Sequence, residues 1–185
     1  MSAPTTPILG ICGGCQMLGE AIEDPYGIES QEARVAGLGL LGLTTCFGPD
    51  KRVTEVMARG VGDHLLAREP DSEGNLSGYE IHMGRIEAHP GVEQPFAIVT
   101  RDGQPQQAWD GAVGQGGAVV GTMIHGILHN PQVRATLIST LRRRRGWDEV
   151  LGDPSTRGMV DPMDRLADAV EQALDMEQLR RLIGL

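Results

Sequence analysis

The chain has 185 residues, a formal charge of −9 and 40% apolar residues, enough for one domain of ordinary size with its own core. The negative balance argues against nucleic acid as a partner, and no apolar run approaches the roughly 20 residues of a membrane span. Only 3% of residues are aromatic, so the core has to be built from Leu, Val, Ile, Ala and Met.

The first six residues carry neither a basic region nor an apolar stretch, so no signal peptide is expected. With three Cys, an odd count, the sequence predicts a reducing, cytoplasmic setting with free thiols. An apolar run, Ile8-Leu9-Gly10-Ile11, then delivers Cys12 into a turn marked by Gly10, Gly13 and Gly14, and a helix-compatible run, Gln16-Met17-Leu18, follows. This is the Gly-x-nucleophile-x-Gly elbow with Cys in place of Ser. A strand reverses sharply into a helix there, and the flanking positions need residues without bulk. A helix N-terminus favours the thiolate form of a cysteine placed on it, and the backbone N–H of Gly13 is a natural oxyanion donor.

Asp24-Pro25-Tyr26-Gly27 is a turn signal. Gly37 to Thr45 is apolar and glycine-rich, a loop feeding a strand. Val53 to Ala58 suits a strand. Gly62 to Gly78 is polar and predicts a surface loop, and order resumes over Ser77 to Ile86. Phe96 to Thr100 and Ala118 to Ile124 are further strands. Asn130-Pro131 opens a helix with Val133, Leu137 and Leu141 as its apolar stripe, closed by Arg142 to Arg145 and Gly146. A linker, Gly152 to Gly158, precedes a last helix opened by Asp161-Pro162, with Met163, Leu166, Val170 and Leu174 on one face. The pattern is that of an α/β or α+β domain with a helical tail.

An elbow cysteine needs a base. Of the five His, His125 is the best placed. It ends the apolar strand Val119 to Ile124 and precedes Gly126, the strand-to-loop position that Cys12 occupies, on the edge of a parallel sheet where ligands bind. A Cys–His pair there suits acyl transfer, with the imidazole taking the thiol proton and later protonating a leaving amine. Each residue alone has an ordinary structural reading, an inert buried thiol or a satisfied strand-end imidazole; the joint pattern favours chemistry. In Gly78-Tyr79-Glu80-Ile81-His82-Met83-Gly84, alternation sets Glu80 and His82 on one face and Tyr79 and Ile81 on the other, as a pocket wall or a solvated strand. His64, His89 and His129 read as surface residues. Cys12-x-x-Cys15 has no second pair, so no metal site is expected; a dithiol redox site stays open. The run Arg142 to Arg145 in the last helical turn complements the helix dipole.

The segments Gly10 to Gly19, Gly37 to Leu41, Gly78 to Arg85 and Gly121 to Gly126, with Asp164 to Asp168, together resemble the class I glutamine amidotransferases, and among them the cobyric acid synthase branch. The resemblance implies a flavodoxin-like α/β domain over residues 1–150, with a mixed sheet but without its N-terminal βα units, and a linker and C-terminal helix over 151–185. It implies that Cys12 attacks the glutamine carboxamide with His125 as base, and that Gln16, with Gly13, Tyr79, Glu80 and His82, contributes to the substrate site. The family's Glu two residues after the His is Ile127 here, so Glu80 is the candidate to orient His125. Cys15 stands where the branch has Tyr. The resemblance further implies that this chain binds no cofactor itself, and that ATP and Mg belong to a separate synthetase domain that also meets the corrinoid substrate. An elbow strand lacking upstream neighbours would expose an edge, so pairing with another polypeptide or a second protomer is expected.

Overall fold

The computed structural model describes residues 6–67, 74–148 and 162–184; the expected linker 152–158 and Asp161 lie outside them. Two compact units, Met1–Leu151 and Gly152–Leu185, divide the chain. In the first, the described residues form nine strands in two sheets. The smaller has the order β1-β9-β8, from Ile8–Ile11 (β1), Val119–Thr122 (β9) and Ala112–Gly114 (β8). β1 runs parallel to β9, Ile8 opposite Val119 through Ile11 opposite Thr122, whereas β8 is antiparallel to β9. All four residues of β9 are buried, which is why this strand carries no charged residue. Its two faces feed two cores. Val119 and Met123 join Cys15, Leu18, Leu41, Leu43 and Ala112, while Val120 and Ile124 join Val56, Leu66, Phe96, Ile127 and Val133. β1 has β9 on one side and no strand partner on the other among the described residues.

The larger sheet is mostly antiparallel. Ala21–Glu23 (β2), Arg34–Ala36 (β3), Leu43–Gly60 (β4), Phe96–Arg101 (β6) and Gln104–Asp110 (β7) take the order β3-β2-β4-β6-β7, and Leu76–Ala88 (β5) pairs with β4. The region read as a loop from Gly62 is ordered at its start. Leu65 and Leu66 are buried, and His64, expected at the surface, is 5% exposed with its ring edge against Phe96.

Helix α1 (Gly13–Leu18) follows β1 directly, and α2 (Pro131–Arg144) follows a short 3-10 turn, Ile127–His129. Asn130 occupies the expected N-cap position, but its side chain turns to β5, accepting from the Ser77 N–H at 2.9 Å and donating to the Ser77 carbonyl at 2.8 Å. At the other end Arg142 and Arg145 sit over the Trp147 ring. The second unit contains α3 (Pro162–Ala173) and α4 (Met176–Ile183), two helices where one was expected, because Asp175 caps α4 by accepting from the Gln178 N–H at 2.9 Å. The stripe Met163, Leu166, Val170 and Leu174 is exposed. Among the described residues no helix is long and apolar enough to cross a membrane.

Candidate active site

Cys12 lies between β1 and α1 with φ 52° and ψ −115°. A non-glycine residue at positive φ costs on the order of 1–3 kcal/mol and persists only where its surroundings fix it. Three contacts do so here. The Cys12 N–H donates to the Thr122 carbonyl at 2.9 Å, continuing the β1–β9 ladder one residue past its end, and the Cys12 carbonyl accepts from the Gln16 N–H at 3.1 Å, starting α1. The thiol is 3.8 Å from the Ile81 carbonyl on β5. The expected need for glycine is visible at Gly10, where a Cβ would stand 2.7 Å from the Gly14 carbonyl oxygen and 2.5 Å from Leu18 Cδ1. Strand and helix leave no room for a side chain. The surroundings of Gly13 are open, with nothing within 4 Å of the place a Cβ would take.

His125 follows β9 by three residues and meets β5. Its N–H donates to the Tyr79 carbonyl at 2.8 Å, the Tyr79 N–H donates back to the His125 carbonyl at 3.1 Å, and the two rings stack at 5.1 Å and 11°. His125 Nε2 is buried and has no hydrogen-bond partner among the described residues. One strand therefore touches both residues, at Ile81 for Cys12 and at Tyr79 for His125, two positions apart on β5. Gly78 is what lets β5 come this close, because a Cβ there would lie 2.4 Å from Ile124 Cγ2 and 2.6 Å from the His125 carbonyl oxygen.

The expected alternation along β5 holds, and it removes Glu80 as the orienting group for His125. Tyr79 and Ile81 are exposed on the His125 side, while Glu80 is 2% exposed on the other. Both Glu80 oxygens are committed. Arg101 donates to them from Nε at 2.9 Å and Nη2 at 3.0 Å, and Arg52 adds a third contact at 3.2 Å. Burial alone would raise this carboxyl, but the hydrogen bonds and charge of Arg101, then those of Arg52, hold it below the ordinary Glu range. His82 shares the Glu80 face, with Nδ1 3.0 Å from the Gly84 carbonyl. Burial lowers its pKa first of all. Neither Glu80 nor His82 is brought to the Cys12–His125 side of the strand. Gln16 is buried on α1.

The thiol of Cys15 is fully buried between Leu and Met side chains, and burial is the first cause of its strongly raised pKa. All three cysteines are free thiols. A buried thiol with little thiolate is a poor partner in dithiol exchange, which disfavours the redox reading. Among the described residues no group of three or more His, Cys, Asp or Glu is placed to hold a metal. A cleft of about 590 Å³ beside the His125 turn is lined by Tyr79, Gly126, His129 and Glu55; Cys12 and Gln16 are not in its wall.

One residue near this site went unread in the sequence. Asp110, at the end of β7, is buried, accepts a short hydrogen bond from the Thr122 hydroxyl, and accepts from the Met123 N–H at 3.1 Å. Its only sequence signal is an acid in Trp109-Asp110-Gly111, at the close of a polar strand.

Residues 1–133 match the CobB/CobQ-like glutamine amidotransferase domain. The chain belongs to that family. This amidotransferase domain is 50% identical over 186 residues to the cobyric acid synthase of Sorangium cellulosum, covering 96% of this chain and 36% of that protein. It is 40% identical over 181 residues to the cobyric acid synthase of Syntrophobacter fumaroxidans, covering 96% of this chain and 35% of that protein. It thus spans about a third of the length of the curated relatives it matches. PurLQS from Thermotoga maritima has a similar fold, with a TM-score of 0.52 at 18% identity over 73% of this chain and 62% of that one.

Proposed function

We propose that this domain is the glutaminase portion of a cobyric acid synthase, releasing ammonia from glutamine through a thioester on Cys12. The observation that carries the reading is the strained turn at Cys12, hydrogen-bonded to Thr122 three residues before His125. The Cys12 sulfur attacks the glutamine carboxamide carbon, and the thiol proton passes to His125. The tetrahedral oxyanion is met by the Gly13 N–H. Collapse breaks the C–N bond, His125 returns the proton to the departing ammonia, and a glutamyl thioester remains. His125 then takes a proton from the water that attacks the thioester, the C–S bond breaks, His125 gives that proton to the departing Cys12 sulfur, and glutamate leaves with both residues restored. The unpartnered Nε2 of His125 supports this proton traffic, and Gln16 and Tyr79 are the further candidates for holding glutamine.

The resemblance extends the reading to a use for the ammonia, the ATP- and Mg-dependent amidation of cobyrinic acid a,c-diamide side chains in cobalamin synthesis, on a synthetase domain that also binds the corrinoid. A cytoplasmic setting suits its free thiols. Glutamate release by the protein, measured beside Cys12→Ala and His125→Ala variants and with mass-spectrometric detection of Cys12 labelled by a glutamine-like electrophile, tests the reading. Hydrolysis and labelling should require Cys12. Equal hydrolysis by Cys12→Ala sinks it.

The edge of β1 that has no strand partner among the described residues favours a second element, pairing with a strand of another polypeptide or a second protomer. In that case the domain works as a partner-dependent or inactive module when alone. Sedimentation together with the glutaminase assay separates the cases: a monomer with full activity excludes dependence on a partner.

A further inference from the structure

We infer that Asp110 is a positioning residue that locks the Cys12 turn and the His125 strand end into one unit through Thr122. The inference rests on the glutaminase reading of Cys12 and His125. Thr122 has three roles at once. Its carbonyl accepts the Cys12 N–H at 2.9 Å, its hydroxyl accepts the Ile124 N–H at 3.1 Å one residue before His125, and the same hydroxyl donates to Asp110 Oδ2. Both Asp110 oxygens also accept from the Met123 N–H, at 3.1 and 3.2 Å. The carboxylate therefore fixes the hydroxyl orientation that leaves a lone pair for Ile124, and it holds the two peptides that lead from β9 to His125. Its ionised form suits this task, because both of its protein partners are donors.

The cost of this arrangement is visible in its surroundings. Asp110 is buried, and the charged or titratable groups that act on it or feel it are Glu80 on β5, Arg101 on β6 and Cys15 on α1, with Arg52 on β4 reaching Glu80 behind them. Burial pushes the Asp110 carboxyl up to about 6, against the lowering effects of Thr122, Met123 and Arg101. Its folded pKa is thus above its unfolded one. Stability falls as pH rises from the ordinary carboxylate range to about 6, while the ionised clamp forms over the same interval. A group kept ionised at the expense of stability fits a role in function rather than in folding.

The test compares Asp110→Asn, Thr122→Val and Thr122→Ser in the full chain. Asp110→Asn should lower kcat for glutamine about tenfold with KM within twofold, and should abolish an acid limb of the rate profile near pH 6. Thr122→Val should match it, and Thr122→Ser, which keeps the hydroxyl, should retain the wild-type rate. The rate of Cys12 alkylation by iodoacetamide is followed in parallel between pH 5 and 8, and its pH dependence should change in Asp110→Asn. If the wild-type protein does not hydrolyse glutamine, the glutaminase reading fails, and the alkylation profile judges Asp110 by itself. Wild-type kcat and pH profile in Asp110→Asn overturn the inference, as does an unchanged alkylation profile. Should Asp110→Asn not fold, the Thr122 pair decides, and equal rates for Val and Ser overturn it.

Discussion

Tyr79 and His125 hold each other twice, by reciprocal backbone hydrogen bonds of 2.8 and 3.1 Å and by rings stacked at 5.1 Å. Among the described residues no acidic side chain is hydrogen-bonded to His125 Nε2, and the contact that faces the ring is the stacked Tyr79. Such pairs contribute about 0.5–1.5 kcal/mol beyond area burial. If this energy holds the base in its reactive orientation, Tyr79→Ala should lower glutaminase kcat by roughly fivefold, about 1 kcal/mol of barrier. Tyr79→Phe, which keeps the ring, should leave it unchanged. Steady-state rates of the two variants check this.

Gly78 makes that bridge possible, and Gly78→Ala should break it. The added Cβ has backbone on one side, the His125 carbonyl oxygen at 2.6 Å, and Ile124 Cγ2 at 2.4 Å. Backbone has little room to give, so β5 or the His125 turn has to move. Overpacking of this kind costs about 1–3 kcal/mol. The expected result is a lower urea midpoint together with a loss of glutaminase rate larger than that of Tyr79→Ala.

Thiol accessibility separates the nucleophile from its neighbour. Cys15 is fully buried and Cys12 and Cys46 are partly exposed. In the native protein a maleimide or iodoacetamide should label Cys12 and Cys46, and Cys15 only after denaturant is added. Mild oxidation should form no Cys12–Cys15 disulfide. Peptide mapping after labelling reads both, and a native Cys12–Cys15 crosslink would restore the redox reading.

Much of the site was legible because local rules determine it. Gly10, two residues before Cys12, has a steric reason that acts within ten residues, the approach of Gly14 and Leu18. The period of two along Tyr79 to His82 fixes which side chains share a face, whatever the strand pairs with. The apolar run into His125 reflects a strand buried on both faces. What could not be read depends on partners distant in sequence. Glu80 looks like a pocket acid until Arg101 and Arg52 arrive from β6 and β4. Asp110 looks like a turn residue before Gly111 until Thr122 is laid beside it. His64 reads as a surface residue within the polar stretch from Gly62 to Gly78, yet Leu65 and Leu66 carry it into the core against Phe96. The stripe on α3 was legible as a helix face, but a stripe does not say whether anything covers it.

The Glu80–Arg101 pair should govern stability rather than chemistry. Glu80 is buried and Arg101 nearly so, with side-chain exposures of 3% and 18%, whereas Arg52 is 40% exposed and adds less. Removing one partner of a buried pair leaves the other charge uncompensated, at a cost on the order of 3 kcal/mol. Glu80→Gln should therefore lower the unfolding free energy by about that amount at pH 7, while per-folded-molecule kcat stays near wild type. The pH dependence follows from the sign of the shift. The folded carboxyl titrates below its unfolded counterpart, so its stabilisation is complete above the unfolded value and is lost as pH falls through the folded one. Wild-type and Glu80→Gln stabilities, measured by urea unfolding from pH 7 down to pH 3, should converge at the acid end. A selective loss of kcat with stability intact would instead return Glu80 to the catalytic machinery.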